Sequence, residues 1–390
     1  MKKQTSLIIA ILLLLLMPAN AQQSFWGGEN IISPEVHGDH SVTFRVKAPD
    51  ADKVEITGDW MPYNGWVPGS VSMKKEDGGI WTYTTEILVP ELYGYAVVVD
   101  GFRTIDPNNA FVTRDIATLT SIFLISGKQA DLYSVNDIPH GSVVRRWYDS
   151  PGIGMNRRIT IYTPPGYETS RDMYPVLYLL HGAGGDEEAW VSLGRVTQIL
   201  DNLIASGKAR PMIVVLPNGN VSQGAAPGEG SRGFYKPQFM VPGTMDGTFE
   251  EAFSDVMGFV ESQYRVKTGK SNRAIAGLSM GGFHSLHISR YYPNTFDYVG
   301  LFSPVLLPHN GGTHKVYEDI DGTLKTQMEN GYKLYWIGIG KTDFLLKNVL
   351  GYKDKLEAMG MPLTFRESEG GHQWKNWRTY LSEFAPQLFQ

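Results

Sequence analysis

The chain has 390 residues, which is long for a single hydrophobic core and predicts two folded domains. Hydrophobic residues make up 42% of the sequence and charged residues 19%, a composition that excludes a disordered, collagen-like or multi-span membrane chain. The formal net charge of −5 argues against a nucleic acid or an anionic membrane surface as partner, because both attract basic proteins.

The first residues have the pattern of a cleavable export signal. Two lysines precede an apolar run at residues 7–17, and an Ala-Asn-Ala sequence closes it. The run is shorter than the roughly 20 residues that a membrane span needs, so we expect a signal peptide at residues 1–21, cleaved before Gln22. An uncleaved membrane anchor is the alternative. Cleavage removes the two lysines and leaves 33 basic and 40 acidic residues, a formal net charge of −7. The mature protein is expected to be periplasmic or secreted.

Residues 41–106 alternate apolar and polar side chains with a period of two, which indicates half-buried antiparallel strands. Turn sequences separate these strands, and Asp100-Gly101 is typical of a hairpin turn. We therefore predict a small β-sandwich over residues 22–127. This domain contains Trp60, Trp66 and Trp81. These side chains could form a surface that stacks on a glycan, or they could lie in the core, which is the more frequent position of tryptophan in a small sandwich.

Residues 128–142 lose this alternation and are predicted to be a linker. From residue 143 to residue 390, short apolar runs alternate with amphipathic stretches such as 248–264, which predicts buried parallel strands with crossover helices. Residues 221–247, rich in glycine, are longer than an ordinary connection, so we expect a lid or a disordered loop. The predicted strands are Ile159–Thr163, Val176–Leu180, Met212–Leu216, Ala274–Leu278, Tyr298–Phe302, Leu334–Ile339 and Leu363–Glu367.

The sequence Gly-Leu-Ser-Met-Gly-Gly at 277–282 lies between a predicted strand and the predicted helix Phe283–Tyr292. An α/β hydrolase carries its nucleophile on such a turn, where flanking glycines allow a strained backbone that exposes the hydroxyl. We therefore predict that Ser279 is a nucleophile and that the second domain has the α/β-hydrolase fold.

A serine hydroxyl needs an imidazole base, which in turn needs a carboxylate, and in this fold the acid and then the histidine follow the serine. Asp343 follows the strand Leu334–Ile339 and is the predicted acid, although it could also cap the next helix. His372 follows the last strand and two glycines, which we interpret as a mobile loop that delivers the ring. Less well placed are Asp319, Asp321, Asp354, His284, His287, His309 and His314.

The sequence Leu-His-Gly-Ala-Gly-Gly at 180–185 follows another strand and predicts an oxyanion hole. The amide of Ala183, or that of Gly182, would act together with the amide of Met280. A phosphate-binding loop is the alternative, but no Lys-Ser or Lys-Thr follows. We predict no metal and no cofactor, because the sequence has no cysteine, no His-Glu-x-x-His and no calcium-loop spacing.

From Val143 onward, these motifs resemble the esterase family that includes feruloyl esterases, acetyl-xylan esterases, esterase D, enterobactin esterases and mycolyltransferases. The likeness rests on residues 162–167, 174–182 and 277–282, and on His372. The first domain resembles the early-set immunoglobulin-like modules that precede catalytic domains in glycogen-branching enzymes and some esterases. That likeness rests on residues 93–95, 99–101 and 106–108.

The resemblance implies an exported serine esterase that removes feruloyl or acetyl groups from a plant cell-wall polysaccharide such as xylan. Its partner would be an acylated oligosaccharide or polysaccharide, and neither a nucleic acid nor a membrane. An enterobactin-type siderophore esterase, an acyltransferase with the same triad, and a carbohydrate-binding protein with an inactive hydrolase domain are the alternatives. Aromatic residues expected to contact the substrate are Trp190, Phe234, Tyr235 and Trp374, with packing or surface positions as the other interpretation.

Overall fold

The computed structural model describes residues 31–64, 67–308 and 312–390. The predicted signal peptide at 1–21, Trp66 and His309 lie outside the described residues. Within the described ranges, no helix is both long and apolar enough to cross a membrane.

The first domain is a β-sandwich of two antiparallel sheets around one core. Its strands are β1 (Glu35–Val36), β2 (Val42–Lys47), β3 (Val54–Gly58), β4 (Tyr63–Asn64), β5 (Val67–Pro68), β6 (Ser70–Ser72), β7 (Lys74–Lys75), β8 (Ile80–Thr84), β9 (Leu92–Val99), β10 (Phe102–Thr104), β11 (Val112–Asp115) and β12 (Thr118–Leu124). One sheet has the order β1-β2-β8-β7, and the other has the order β11-β12-β9-β3-β6 with β10 on β9. The predicted turn at Asp100-Gly101 joins β9 to β10, with a positive φ at both residues.

Two of the three tryptophans lie in the core of the sandwich. The Trp60 ring stacks on Phe44, with ring centroids 5.4 Å apart, and the Trp81 indole donates to the Ala48 carbonyl at 2.9 Å. Trp81 is buried, and burial of one such side chain contributes roughly 2–3 kcal/mol. The glycan-stacking interpretation is therefore wrong for Trp60 and Trp81.

The second domain is built on an eight-stranded, mostly parallel sheet. Its strands are β13 (Ser142–Ser150), β14 (Met155–Thr163), β15 (Val176–Leu180), β16 (Ile213–Pro217), β17 (Arg273–Leu278), β18 (Tyr298–Phe302), β19 (Leu334–Gly340) and β20 (Thr364–Ser368). Their order is β13-β14-β16-β15-β17-β18-β19-β20. Strand β14 runs antiparallel to both neighbours, so the expectation of a parallel strand at Ile159–Thr163 is wrong. Only four residues join β13 to β14, and so short a connection permits an antiparallel pair but no crossover.

Helices cover both faces of this sheet. They are α1 (Ala189–Ser192), α2 (Val196–Ala205), α3 (Thr248–Glu251), α4 (Phe253–Gln263), α5 (Met280–Tyr291), α6 (Ile320–Glu329), α7 (Leu346–Ala358) and α8 (Trp374–Phe384). One apolar core lies under α4 to α7, and a second lies under α2 and α8. The predicted helical stretch 248–264 is divided at Ala252 into α3 and α4. The loop 221–247 lacks helix and strand throughout, but its Ala225, Ala226 and Met245 are buried.

The two domains are docked through buried contacts. A 3₁₀ helix at Lys128–Tyr133, within the predicted linker, places Ala130 and Tyr133 fully buried in the core under α2 and α8. Arg378 of α8 donates to both Glu91 Oε1 and the Leu92 carbonyl at 2.9 Å. These contacts fix the sandwich against the α/β domain.

Candidate active site

Three chain segments meet at one edge of the large sheet. Ser279 directly follows β17, Asp343 follows β19, and His372 follows β20. Strands β17 to β20 are neighbours and mutually parallel, so their carboxyl ends lie at the same edge. The sheet topology therefore places all three predicted residues at this edge.

The backbone at Ser279 is strained. This residue has φ 53° and ψ −112°, a conformation that costs a residue other than glycine on the order of 1–3 kcal/mol. A Cβ on Gly277 would lie 2.4 Å from the Gly281 carbonyl carbon, and one on Gly281 would lie 2.3 Å from the Leu180 carbonyl oxygen. The Gly-x-Ser-x-Gly sequence is thus required by close packing of strand, turn and helix.

Helix α5 begins directly after Ser279, at Met280. Amides in the first turn of a helix lack intrahelical partners, and the helix dipole adds a positive potential there. Negative charge that develops beside Ser279 is therefore stabilised by the start of this helix.

The side chains of His372 and Asp343 are joined by a hydrogen bond. The Nδ1 atom of His372 lies 2.9 Å from Oδ2 of Asp343, whose carboxylate is fully buried. The other oxygen, Oδ1, accepts from the Leu345 amide at 2.9 Å. The prediction that Asp343 caps a helix is wrong, because α7 begins at Leu346 and Leu345 occupies the position before it. Because the carboxylate accepts from Nδ1–H, Nε2 of the neutral ring is the nitrogen that can accept a proton.

Two aromatic rings flank His372. The Trp377 ring lies 4.9 Å from the imidazole at 89°, and the Phe344 ring lies 4.8 Å from it at 59°. Phe344 is 58% exposed, so its ring also faces the solvent beside the histidine. Sequence reasoning missed Phe344, although its position next to the predicted acid was the available signal.

The glycines before His372 serve close packing. Gly370 has φ 84°, and its carbonyl accepts from the Thr342 amide at 3.0 Å. A Cβ on Gly340 would lie 2.3 Å from the Gly370 carbonyl oxygen. The loop that carries His372 is thus bonded to the loop that carries Asp343, and the small residues are needed where the two loops touch. Mobility of the histidine loop stays a prediction.

Residues 181–186, here called the oxyanion loop, lie against Ser279. A Cβ on Gly182 would lie 3.4 Å from the Cβ of Ser279. Inside the loop, His181 Nε2 accepts from the Gly219 amide and Nδ1 donates to the Gly182 carbonyl, both at 2.8 Å. Burial lowers the pKa of His181 to about 4, so the ring is neutral and keeps this tautomer. A role for His181 was not predicted, although it lies within the glycine-rich motif.

The alternative acids and bases have partners elsewhere. Asp319 caps α6, Asp321 pairs with Lys355, and Asp354 is exposed beside Lys353. His284 pairs with Glu250, His287 accepts from Arg290, and His314 pairs with Glu251.

The four aromatic residues predicted to contact substrate have different positions. Trp190 is 1% exposed and donates to the Leu180 carbonyl at 3.0 Å, so it is a core residue and that prediction is wrong. Phe234 is 98% exposed and forms no pocket wall in this conformation. Trp374 is half-buried and packs edge-on against Trp190 and Trp377. Tyr235 is half-buried on the loop 221–247.

Comparison with known proteins yields two family matches. Residues 150–388 match the family described as "Putative esterase", and residues 32–110 match "Carbohydrate-binding module 48 (Isoamylase N-terminal domain)". The endo-1,4-beta-xylanase/feruloyl esterase of Xylanibacter ruminicola is 31% identical over 370 residues. That alignment covers 92% of this chain but 46% of the relative, so the chain spans less than half of its length. An acetyl esterase of Caldicellulosiruptor saccharolyticus is 25% identical over 53% of this chain and 80% of its own.

Two solved structures illustrate the fold. A ferulic acid esterase is 26% identical, with a TM-score of 0.51 over 64% of this chain and 97% of its own. An enterobactin esterase from Shigella flexneri is 17% identical, with a TM-score of 0.62 over 90% of this chain and 93% of its own, a likeness of fold. An immunoglobulin-like sandwich followed by an α/β hydrolase is therefore the class of this protein. Within that class, the chain belongs to the putative esterase family.

Proposed function

We propose that this protein is a serine esterase that hydrolyses acyl esters on a plant cell-wall polysaccharide such as xylan. The observation that carries the proposal is a strained Ser279 at a helix start, on the sheet edge that holds the bonded His372–Asp343 pair. The similar proteins include a xylanase/feruloyl esterase and an acetyl esterase, and these support the substrate class. The sandwich, which matches a carbohydrate-binding family, supports a saccharide as the alcohol part.

In the proposed reaction, the hydroxyl oxygen of Ser279 forms a bond to the ester carbonyl carbon while His372 Nε2 takes its proton. The Met280 amide, together with that of Ala183 or Gly182, stabilises the resulting oxyanion. The bond to the sugar oxygen then breaks, and the imidazolium returns the proton to that oxygen. Water, deprotonated by His372, releases the carboxylic acid and restores Ser279.

The decisive test is replacement of the serine. Ser279→Ala is expected to abolish release of ferulate from methyl ferulate, and a fluorophosphonate probe is expected to label Ser279 in the wild type. Retained activity, or labelling at another residue, would contradict the proposal. Absence of both label and turnover would favour a non-catalytic carbohydrate-binding protein. Product analysis with added sugar acceptors distinguishes hydrolysis from acyl transfer.

The exposed ring of Phe344 favours an aromatic acyl group, because it lies against His372, the residue that takes the proton of Ser279 while the acyl carbon is attacked. Ring–ring contacts contribute about 0.5–1.5 kcal/mol, so Phe344→Ala is expected to raise KM for methyl ferulate about two- to tenfold. KM for methyl acetate, measured by acid release, should change little. Equal effects on both esters would contradict aromatic selectivity, and preference for a 2,3-dihydroxybenzoyl ester would favour the siderophore esterase.

Export is part of the proposal. The charged start, the apolar run and the Ala-Asn-Ala sequence support a signal peptide removed before Gln22. Mass determination of the protein recovered outside the cytoplasm should give a chain that begins at Gln22. A chain that retains residues 1–21 would support the membrane anchor instead.

A further inference from the structure

The hairpin of β11 and β12, in the first domain, ends beside the oxyanion loop of the second domain. Ile116 and Ala117 form its turn, between the paired residues Asp115 and Thr118. Ile116 has φ 53°, a conformation that is unusual for a β-branched residue and that hairpin turns normally assign to glycine or asparagine. Such strain persists only where surrounding contacts hold the residue in place.

The contact that holds Ile116 is with Gly184. A Cβ on Gly184 would lie 2.7 Å from Cγ1 and 3.1 Å from Cδ1 of Ile116, so the isoleucine side chain covers this glycine closely. Gly184 has φ 74° and directly follows Ala183, a predicted oxyanion donor. The Ile116 side chain therefore blocks movement of Gly184 toward the first domain, and Ala183 is bonded directly to Gly184.

An ion pair connects the same turn to the same loop. Arg114 Nη2 lies 2.5 Å from Oδ2 of Asp186, whose side chain is 3% exposed. Nη1 of Arg114 donates to the Ile116 carbonyl at 2.8 Å, which joins the ion pair to the strained residue. On the inner side, the side-chain Nδ2 of Asn220 donates to the Gly185 carbonyl at 2.9 Å. The oxyanion loop is thus held from inside by its own domain and from outside by the sandwich.

We infer that Ile116 and Arg114 are positioning residues for the esterase reaction, which hold the oxyanion loop so that its amide meets the oxyanion. The inference rests on the proposed function. Through these two residues, the first domain helps to hold the active site of the second domain in its working geometry. Domain docking alone does not require these contacts, because Glu91, Leu92 and Tyr133 already anchor the sandwich to the α/β domain.

The test uses Ile116→Gly in the full chain, because glycine relieves the backbone strain while it removes the covering side chain. Melting temperature is expected to stay equal or to rise. For methyl ferulate, kcat is expected to fall about tenfold with KM within about twofold, because displacement of a catalytic group by about 1 Å can cost about a hundredfold in rate. Affinity for a boronic acid, which forms a tetrahedral adduct with the serine, should fall by the same factor, while affinity for ferulate stays unchanged.

Ala117→Gly, at the exposed neighbouring position of the same turn, is the matched control and should keep wild-type kcat. Arg114→Gln should lower kcat in the same manner as Ile116→Gly. Unchanged kcat in both variants, or equal losses in Ala117→Gly, would overturn the inference. Should Ile116→Gly fold poorly, Ile116→Ala gives the same readout. Failure of the proposed function is seen separately, as activity that survives Ser279→Ala.

Discussion

His372 and Asp343 are held together by a 2.9 Å hydrogen bond, while the second carboxylate oxygen of Asp343 is occupied by the Leu345 amide. The carboxylate therefore cannot rotate without loss of one of two bonds. This arrangement fixes both the tautomer and the direction of the imidazole.

Asp343→Asn should inactivate the enzyme without loss of the fold. Its amide oxygen can still accept from Leu345, but the NH₂ group then faces Nδ1 and favours the tautomer with the proton on Nε2. We expect kcat to fall about 10³- to 10⁴-fold, as measured with methyl ferulate at neutral pH. Asp354→Asn, at an exposed carboxylate, is the control. A loss below tenfold in Asp343→Asn would contradict the assignment of the acid.

Glycine replacements in two helices should have opposite effects. Gly281→Ala, in α5, drives a Cβ to within 2.3 Å of the Leu180 carbonyl oxygen, so we expect loss of several kcal/mol of stability or failure to fold. Gly351→Ala, in α7, meets open space and should stabilise the protein by about 0.5–1 kcal/mol. Denaturant unfolding checks both changes. Similar changes in unfolding free energy for the two replacements would contradict the close contact between Gly281 and the Leu180 carbonyl.

Removal of one partner of the buried ion pair between Arg378 and Glu91, which joins the two domains, should be costly. Arg378→Ala leaves Glu91 buried without its partner, and we expect the free energy of unfolding to fall by about 3–5 kcal/mol. Arg366→Ala breaks a half-exposed pair with Glu383 and should cost less than about 1 kcal/mol. Equal losses in urea unfolding would argue against the buried interface.

His181 should make stability depend on pH. Burial lowers its pKa in the folded state to about 4, whereas the unfolded side chain binds a proton below about pH 6.5. Its contribution is therefore fully present above pH 6.5 and is lost as the pH falls to about 4, a change on the order of 3 kcal/mol. His181→Asn removes this contribution, so its stability deficit should narrow between pH 7 and pH 4.5. A deficit that is constant over this range would contradict the prediction.

Local sequence predicted those features that depend on strands and turns. Val176–Leu180 and Tyr298–Phe302 match the observed strands, because short buried β-rich runs have few other conformations. Ser279, Asp343 and His372 lie at the same edge of the sheet, because each follows a strand and these strands are parallel. Their order along the chain was enough to predict this placement. Their catalytic roles stay predictions.

Features that depend on three-dimensional approach could not be predicted in this way. Trp190 has the sequence context of a loop aromatic, yet it fills the core, because its indole finds the Leu180 carbonyl. Contact of Ile116 with Gly184 joins residues from different domains, and no periodicity records such an approach. The antiparallel direction of β14 depends on a four-residue connection that the sequence alone did not identify as a hairpin.

The match to the carbohydrate-binding family ends at residue 110, and the match to the esterase family begins at residue 150. The 39 residues between them belong to both halves of the molecule. They supply the strained turn at Ile116, the buried Tyr133 and strand β13. A gene divided at those family borders would leave each fragment with an open apolar face. We therefore expect the intact chain to melt as one cooperative unit, and transplantation of the sandwich onto another catalytic domain to require this shared stretch.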